Sequence, residues 1–178
     1  MTRFLALKFW RDTRGAAAAE MALILPMAFA LIFTTMEGGY YFQTEHKAAK
    51  YVREAARYAS RASFEYFDCS GSGAWQDPTA AGLPNAAALR GQIANVALSG
   101  QPGSSNPRIA GWDASDITIS VSCDSTYGTG LYAPLEDAKA PTVLVSTRFD
   151  YVSILGLLGF NVSGIDVVAQ AQGAVIGS

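Results

Sequence analysis

A long apolar segment constrains what this chain can fold into more than any other feature. Glu20 is the only charged side chain in residues 16–36. An α-helix rises about 1.5 Å per residue, so a run of this length matches a hydrocarbon core of about 30 Å. We therefore predict one membrane-spanning helix over residues 16–36. Pro26 lies inside it and is expected to kink it, because proline lacks an amide donor and crowds the preceding turn.

Basic residues are concentrated before this segment. Residues 1–15 carry four basic side chains and one acidic one, whereas the whole chain has 13 basic and 15 acidic residues and a net charge of −2. A basic flank tends to stay in the cytoplasm while the following chain is exported. The pattern predicts three parts: a cytoplasmic leader (1–15), a span (16–36) and an exported head (37–178). The net charge does not indicate a nucleic-acid partner.

The head has the sequence pattern of a small α+β domain. The helix is expected to continue to about residue 62 as an amphipathic helix, and period-two alternation predicts three strands, near 117–123, 142–150 and 165–174. A short helix is predicted over 85–98, and residues 99–111 are expected to form a surface loop. A stripe of small side chains follows one helix face, at Ala48, Val52, Ala55, Ala59 and Ala62. We expect this stripe to pack on an antiparallel sheet of about three strands, and a partner helix is the alternative cover.

Two further features of the head have alternative interpretations. Cys69 and Cys123 are the only cysteines and both lie on the predicted outer side, where disulfides form. A disulfide between them is expected, and two buried free thiols are the alternative. The apolar run 152–162 is too short to span a bilayer, so it either fills the core or forms an exposed contact with a subunit or the membrane.

The boundary between the leader and the apolar segment has the features of a processing site. Gly15 is small and follows Arg14, so the Gly15–Ala16 bond is expected to be accessible to a protease at the membrane face. Glu20 within a span costs a few kcal/mol and is expected to have a partner. Cleavage after Gly15 would leave the amine of Ala16 one helical turn before Glu20, close enough to pair within one chain or between packed chains. The alternative is that the Glu20 side chain extends to the membrane–water interface and needs no partner.

These residues give the sequence a resemblance to a known family, the TadE-like pseudopilins. They are minor pilins of the tight-adherence (Tad/Flp) pilus, within the type IV filament superfamily. The resemblance is strongest over residues 11–62 and extends to 140–175. It rests on Arg14-Gly15, four alanines, Glu20, the run Met21-Ala-Leu-Ile-Leu-Pro26 and Glu37-Gly38-Gly39.

The resemblance implies a function in pilus assembly. It implies cleavage between Gly15 and Ala16 by an aspartic prepilin peptidase, with Glu20 required for processing or filament packing. Glu20 and Pro26 would then lie in the part of the helix that packs between subunits. Met21 stands where the family pattern has an aromatic residue. The implied partners are the bacterial inner membrane, the prepilin peptidase, other pilins or pseudopilins and the Tad assembly machinery.

Motifs for catalysis or for a cofactor are not found in the sequence. His46 is the only histidine and is expected to be a surface side chain, so we expect neither a histidine metal cluster nor a histidine partner for a nucleophilic serine, and no phosphate-binding loop is present. We expect a non-enzymatic, single-pass membrane protein without a metal, a cofactor or a small-molecule substrate. An uncleaved, membrane-anchored periplasmic binding protein is the alternative. A weaker alternative is a secreted soluble protein whose apolar segment is a secretory signal peptide that is cleaved off.

Overall fold

The computed structural model describes residues 15–124, 130–133, 135, 139–157, 159–160 and 164–177. The chain divides into two compact units, Met1–Tyr40 and Tyr41–Ser178. In chain order, the elements are α1 (Ala16–Ala59), β1 (Phe67–Asp68), β2 (Ala74–Trp75), α2 (Ala86–Ser99), β3 (Ile117–Asp124), β4 (Ala140–Asp150), α3 (Ile154–Leu157) and β5 (Asp166–Ala174). The expected α+β class with a long N-terminal helix is confirmed.

Helix α1 begins at the predicted residue and ends slightly earlier than predicted. It spans 44 residues through Pro26, and its last helical residue is Ala59 rather than residue 62. The chain leaves the helix through a tighter turn, because the amide of Ala62 bonds to the carbonyl of Ala59 at 3.1 Å. The carbonyl of Ser60 is thereby free to accept from the amide of Ile176 at 2.9 Å.

The three predicted strands form one antiparallel sheet in the order β3-β4-β5. The alternating pattern placed each strand within two residues of its observed bounds, since one side of the sheet is buried and the other is more exposed. Val145 in the central strand lies between Ile119 of β3 and Ala171 of β5. Strands β1 and β2 form a separate two-stranded sheet that the sequence did not predict, because two residues are too few to show a period.

Within the second unit, α1 contacts the chain near both ends of β5. The hydroxyl of Tyr41 donates to the carbonyl of Asp166 at 3.4 Å, and the bond between Ile176 and Ser60 lies at the other end of the strand. Between these points Gly173 packs against the helix, where a Cβ would lie 2.9 Å from the carbonyl oxygen of Ala56. A side chain projects from the face of a strand, so α1 packs over one face of β5 at this point.

The stripe of small residues on α1 is buried. Ala48, Val52, Ala55 and Ala59 are 0% exposed, whereas Ala62 lies past the helix end and is half-buried. The contact of Ala56 with Gly173 shows that the sheet covers this face, as expected. Small side chains allow helix and strand backbones to approach closely, which is why alanines and a glycine meet here.

Helix α2 is capped at both ends. The side chain of Asn85 accepts from the amide of Ala88 at 2.7 Å, and Gly100 ends the helix in a left-handed conformation with φ of 77°. Leu89 and Ile93 are buried. The prediction of a helix over 85–98 is confirmed to within one residue at each end.

The loop after α2 contributes to the core, which the sequence did not indicate. Residues 99–111 were expected to lie on the surface, and most do, but Ile109 is buried and the adjacent Trp112 is 0% exposed. The indole Nε1–H of Trp112 donates to Thr147 Oγ1 at 2.8 Å, and its ring stacks on Phe149 with centroids 5.2 Å apart. One large aromatic residue thus fixes an irregular segment to β4.

Candidate functional site

The apolar half of α1 has no protein cover within the described part of the chain. Apart from the half-buried Ala28, every side chain in residues 15–36 is exposed, with Leu23 at 76% and Met27 at 72%. The core helix of a soluble protein would be covered on most of this surface. A helix that is apolar on all sides and uncovered requires lipid or other apolar helices around it.

The length and composition of this helix suit a membrane. Among the described residues, α1 is the one helix long and apolar enough to cross a bilayer, with a mean hydropathy of 2.1 in its best window. The hydroxyls of Thr34 and Thr35 donate to the carbonyls of Ala30 and Ile32 at 2.7 and 2.9 Å. Backbone bonds of this kind reduce the cost of placing a hydroxyl in lipid. Glu20 is the remaining polar side chain of residues 16–36.

The predicted processing residues lie together at the start of α1. Gly15 immediately precedes the helix and is exposed, while Arg14 and the rest of the leader lie outside the described residues. Ala16 is the first helical residue, so it and Glu20 are separated by four positions, which places them on one face. Met21 is 60% exposed next to them. Cleavage at Gly15, the role of Glu20 and packing through Pro26 stay predictions.

The two cysteines of the head are disulfide-bonded. Cys69 and Cys123 have Cα atoms 5.6 Å apart, which is an ordinary separation for a bridged pair. The bond joins the end of β1 to β3, and the Lys139 ammonium donates to the carbonyl of Cys69 at 3.1 Å. Gly73 allows the small sheet to reach β3, since a Cβ there would lie 2.9 Å from the Cα of Ser122.

The titratable groups in this region have structural roles. The hydroxyl and the amide of Ser70 both donate to Asp68 Oδ1, at 2.7 and 2.9 Å. These bonds hold the pKa of the Asp68 carboxyl below its usual value, with the hydroxyl as the larger cause. The described residues contain no group of three or more histidine, cysteine, aspartate or glutamate side chains that could hold a metal ion.

The apolar run after β4 is partly buried and partly exposed. Ser153 Oγ caps the short helix α3 by accepting from the amide of Gly156 at 3.0 Å, and the amide of Phe160 then bonds to the carbonyl of Leu155 at 3.1 Å. Leu155 is half-buried, whereas Phe160 is 62% exposed. The segment therefore does not fill the core completely, and a contact of its exposed part with a subunit or the membrane stays a prediction.

A cluster of aromatic residues beside this segment was missed at the sequence level. The rings of Tyr41 and Tyr151 meet edge to face with centroids 5.2 Å apart, and the Tyr41 hydroxyl reaches the carbonyl of Asp166. The amide of Tyr151 bonds to the carbonyl of Ile165 at 2.9 Å, which closes the base of the segment. The two tyrosines are more than a hundred positions apart in the chain, so no local pattern could have paired them.

One family model matches the segment that carries the candidate site. The model, described as TadE-like protein, covers residues 15–57 of the 178. No curated protein and no solved structure matches the chain. The resemblance to TadE-like proteins is therefore confirmed over residues 15–57, which include Gly15, Ala16, Glu20, Met21 and Pro26.

Proposed function

We propose that this chain is a membrane-anchored minor pilin, or pseudopilin, that acts in the assembly of a Tad/Flp-type adhesion pilus. The observation that carries the proposal is the uncovered apolar half of α1, which lies within the TadE-like segment. The chain acts by subunit packing and not by catalysis.

The topology follows from the charge and the apolar pattern. Residues 1–15 form a cytoplasmic leader that a prepilin peptidase removes, residues 16–36 span the inner membrane, and residues 37–178 form the periplasmic or extracellular head. The apolar helix holds the subunit in lipid and packs against other pilins or the Tad machinery. A helix of this kind loses little on moving between these surroundings, since both are apolar.

Glu20 gives this packing its specificity. After cleavage, the Ala16 amine carries a positive charge, and Glu20 one turn away is its nearest partner by sequence. In lipid, an unpaired carboxylate is costly, so pairing with an amine of the same or a neighbouring chain favours the assembled state.

Substitution of Glu20 tests the assembly function directly. We expect Glu20→Ala to leave membrane insertion unchanged and to abolish pilus assembly, since the variant is more apolar but has no carboxylate to pair. Glu20→Asp is the matched control, because it keeps the charge on a shorter side chain, and it should retain more assembly than Glu20→Ala. Membrane fractionation and the quantity of sheared pili give the two readouts. Normal piliation by Glu20→Ala would contradict the proposal.

A further inference from the structure

We propose that a basic stripe along α1, within the second unit, binds an acidic pair on the head of a second copy of this chain. The acidic pair is Glu65 and Asp77, which flank the small sheet of β1 and β2. The inference rests on the proposed assembly function and deepens it, since it adds a contact between heads to the packing of the apolar helices. The basic stripe consists of Lys47, Lys50, Arg53, Arg57 and Arg61.

The basic stripe is one continuous surface. From residue 46 to residue 61, the exposed side chains are those of the stripe and His46. The stripe residues follow one another at spacings of three and four, which places them on one face of a helix. Like charges at these spacings repel one another and destabilise the helix. A partner that supplies negative charge removes this cost.

The charge of the basic stripe is only partly compensated within the chain. Lys50 Nζ lies 3.8 Å from Glu54 Oε1. Arg53 and Arg57 form no ion pair with any of the described residues. The last two residues of the stripe lie at the C-terminal end of α1, where the helix dipole favours positive charge. That effect falls off within one turn, so it does not account for the rest of the stripe.

A groove at the end of the basic stripe is suited to a carboxylate side chain. It has a volume of about 260 Å³ and lies between α1 and the end of α2, with Arg57, Tyr58 and Arg61 on its α1 side. Glu54 also lines the groove, but it is paired with Lys50. The guanidinium groups therefore dominate the charge of the groove, and their planar array of donors matches the two oxygens of a carboxylate.

The acidic pair is fixed in place and keeps oxygen atoms for a partner. β1 and β2 are antiparallel, so Glu65 before β1 and Asp77 after β2 lie at the same end of the small sheet. Glu65 Oε2 accepts from the amide of Ala80 at 2.9 Å, and Asp77 Oδ1 accepts from the amide of Ala86 at 2.8 Å. The second oxygen of each carboxylate has no hydrogen-bond partner among the described residues. Residues 62–89 contain no basic side chain.

The presence of both surfaces on one chain is the argument for a second copy. Residues 41–61 have five basic and two acidic side chains, whereas residues 62–178 have four basic and ten acidic ones. Nucleic acid or an anionic lipid would complement the stripe but would be repelled by the acidic pair. Since the stripe and the acidic pair are different surfaces, their contact is head-to-tail and can repeat from copy to copy.

Self-association of the full chain in an uncharged detergent tests the contact. Sedimentation velocity measures it over a range of protein concentrations. We expect association at about 50 mM salt that becomes weaker at about 500 mM, because salt screens charge pairs. Arg57→Glu should weaken the association at least about fivefold, since it replaces attraction by repulsion. Glu65→Gln combined with Asp77→Asn should do the same, and it keeps the oxygens that accept the two amide bonds.

Two control variants separate this contact from a general effect of charge. Arg57→Lys keeps the positive charge and should retain the association. Gln170→Glu combined with Gln172→Glu changes the net charge by the same amount as Arg57→Glu, at exposed positions of β5, and should also retain it. Near-ultraviolet circular dichroism verifies that each variant is folded.

The alternative results have distinct meanings. A wild-type chain that stays monomeric at about 50 mM salt, or Arg57→Glu that associates as strongly as wild type, would overturn the inference. A loss in Arg57→Glu without a loss in the acidic-pair variant would also overturn it, since the stripe would then bind another surface. A monomeric wild type together with loss of pili in Glu20→Ala refutes this contact alone. Normal pili in Glu20→Ala, with association that depends on Arg57, refutes the assembly function and leaves the contact.

Discussion

Two tryptophans in the head have opposite hydrogen-bonding situations. Trp112 is fully buried, donates to Thr147 and stacks on Phe149. Trp75 is half-buried, and its Nε1 is a buried donor without a hydrogen-bond partner among the described residues. A buried donor that is satisfied stabilises the fold, and one that is not reduces its stability.

We expect the same substitution to have different effects at these two positions. Trp112→Phe removes the donor to Thr147 and leaves a cavity beside Phe149, so it should lower the free energy of unfolding by about 1–3 kcal/mol. Trp75→Phe removes an unsatisfied donor and should change stability by less than about 1 kcal/mol. Thermal unfolding of the detergent-solubilised protein, followed by near-ultraviolet circular dichroism, measures both. A larger loss at Trp75 than at Trp112 would contradict this account.

The burial of Tyr66 makes the stability of the head depend on pH in the alkaline range. Its side chain is buried and its hydroxyl donates to the carbonyl of Pro84 at 2.9 Å. Burial raises the pKa of Tyr66 above the ordinary value of 10.0, and the charge of Glu65 adds to the effect. The unfolded chain therefore loses this proton first as the pH rises.

The raised pKa of Tyr66 makes the head less stable as the pH rises above 10.0. The contribution of Tyr66 is fully present below pH 10.0 and declines as the pH rises through its elevated folded-state pKa. We expect the phenolate absorbance of the folded protein to contain a component with its midpoint above pH 10.0 that is lost in Tyr66→Phe. Stability at alkaline pH should also decline less steeply in that variant. If the absorbance that is lost in Tyr66→Phe has its midpoint at the ordinary tyrosine value of 10.0, the burial argument is wrong.

At the scale of elements, the contact between α1 and β5 depends on the absence of a side chain at Gly173. A Cβ there would lie 2.9 Å from the Ala56 carbonyl oxygen and 3.2 Å from the Ser60 Cβ. Gly91 lies on the exposed side of α2, and a Cβ added there would have no heavy atom within 4 Å. The same change from glycine to alanine therefore tests packing at one site and helix propensity at the other.

We expect opposite signs from these two variants. Gly173→Ala should lower the free energy of unfolding by about 1–3 kcal/mol, because helix and strand must separate. Gly91→Ala should raise it by about 0.5–1 kcal/mol, because alanine loses less backbone freedom in a helix interior. Thermal unfolding of both variants provides the comparison. An unchanged free energy of unfolding in Gly173→Ala would show that α1 is not held closely against β5.

The elements differ in how far they could be predicted from the sequence. Strands β3 to β5 have a buried and a more exposed face, so their alternation was sufficient to locate them. Helix α2 was located to within one residue at each end, and the caps at Asn85 and Gly100 explain why it begins and ends there. The core position of Trp112 and the contact of Tyr41 with Tyr151 depend on tertiary packing, which local patterns do not contain. The processing residues stay a prediction, which rests on a basic residue, a glycine and an apolar run that are adjacent in the chain.

At the scale of the whole molecule, the disulfide closes a large part of the head. Cys69 and Cys123 are separated by 54 positions, and the bond connects the small sheet to β3. The chain-entropy model gives about 4 kcal/mol for closing a loop of this size in the unfolded state. Such a bond suits a domain that folds outside the cytoplasm.

Removal of the disulfide should destabilise the head without affecting the anchor. We expect Cys69→Ser combined with Cys123→Ser to lower the free energy of unfolding by up to about 4 kcal/mol. The helical signal of residues 16–36 in micelles should persist. Circular dichroism in the near and far ultraviolet separates these effects. Unchanged head stability in the double variant would show that the loop is already ordered in the unfolded state.

The central claim is that the chain is a membrane-anchored pilin-like subunit whose leader is removed. Its most direct test is the mass and N-terminal sequence of the protein extracted from membranes, with and without a co-expressed prepilin peptidase. A processed pilin-like subunit should begin at Ala16 only when the peptidase is present, and it should keep its apolar helix and stay in the membrane. A chain that still begins at Met1 in the presence of the peptidase would contradict the claim and favour an anchored binding protein. A chain that begins after residue 36 would show that the apolar segment is a removed signal.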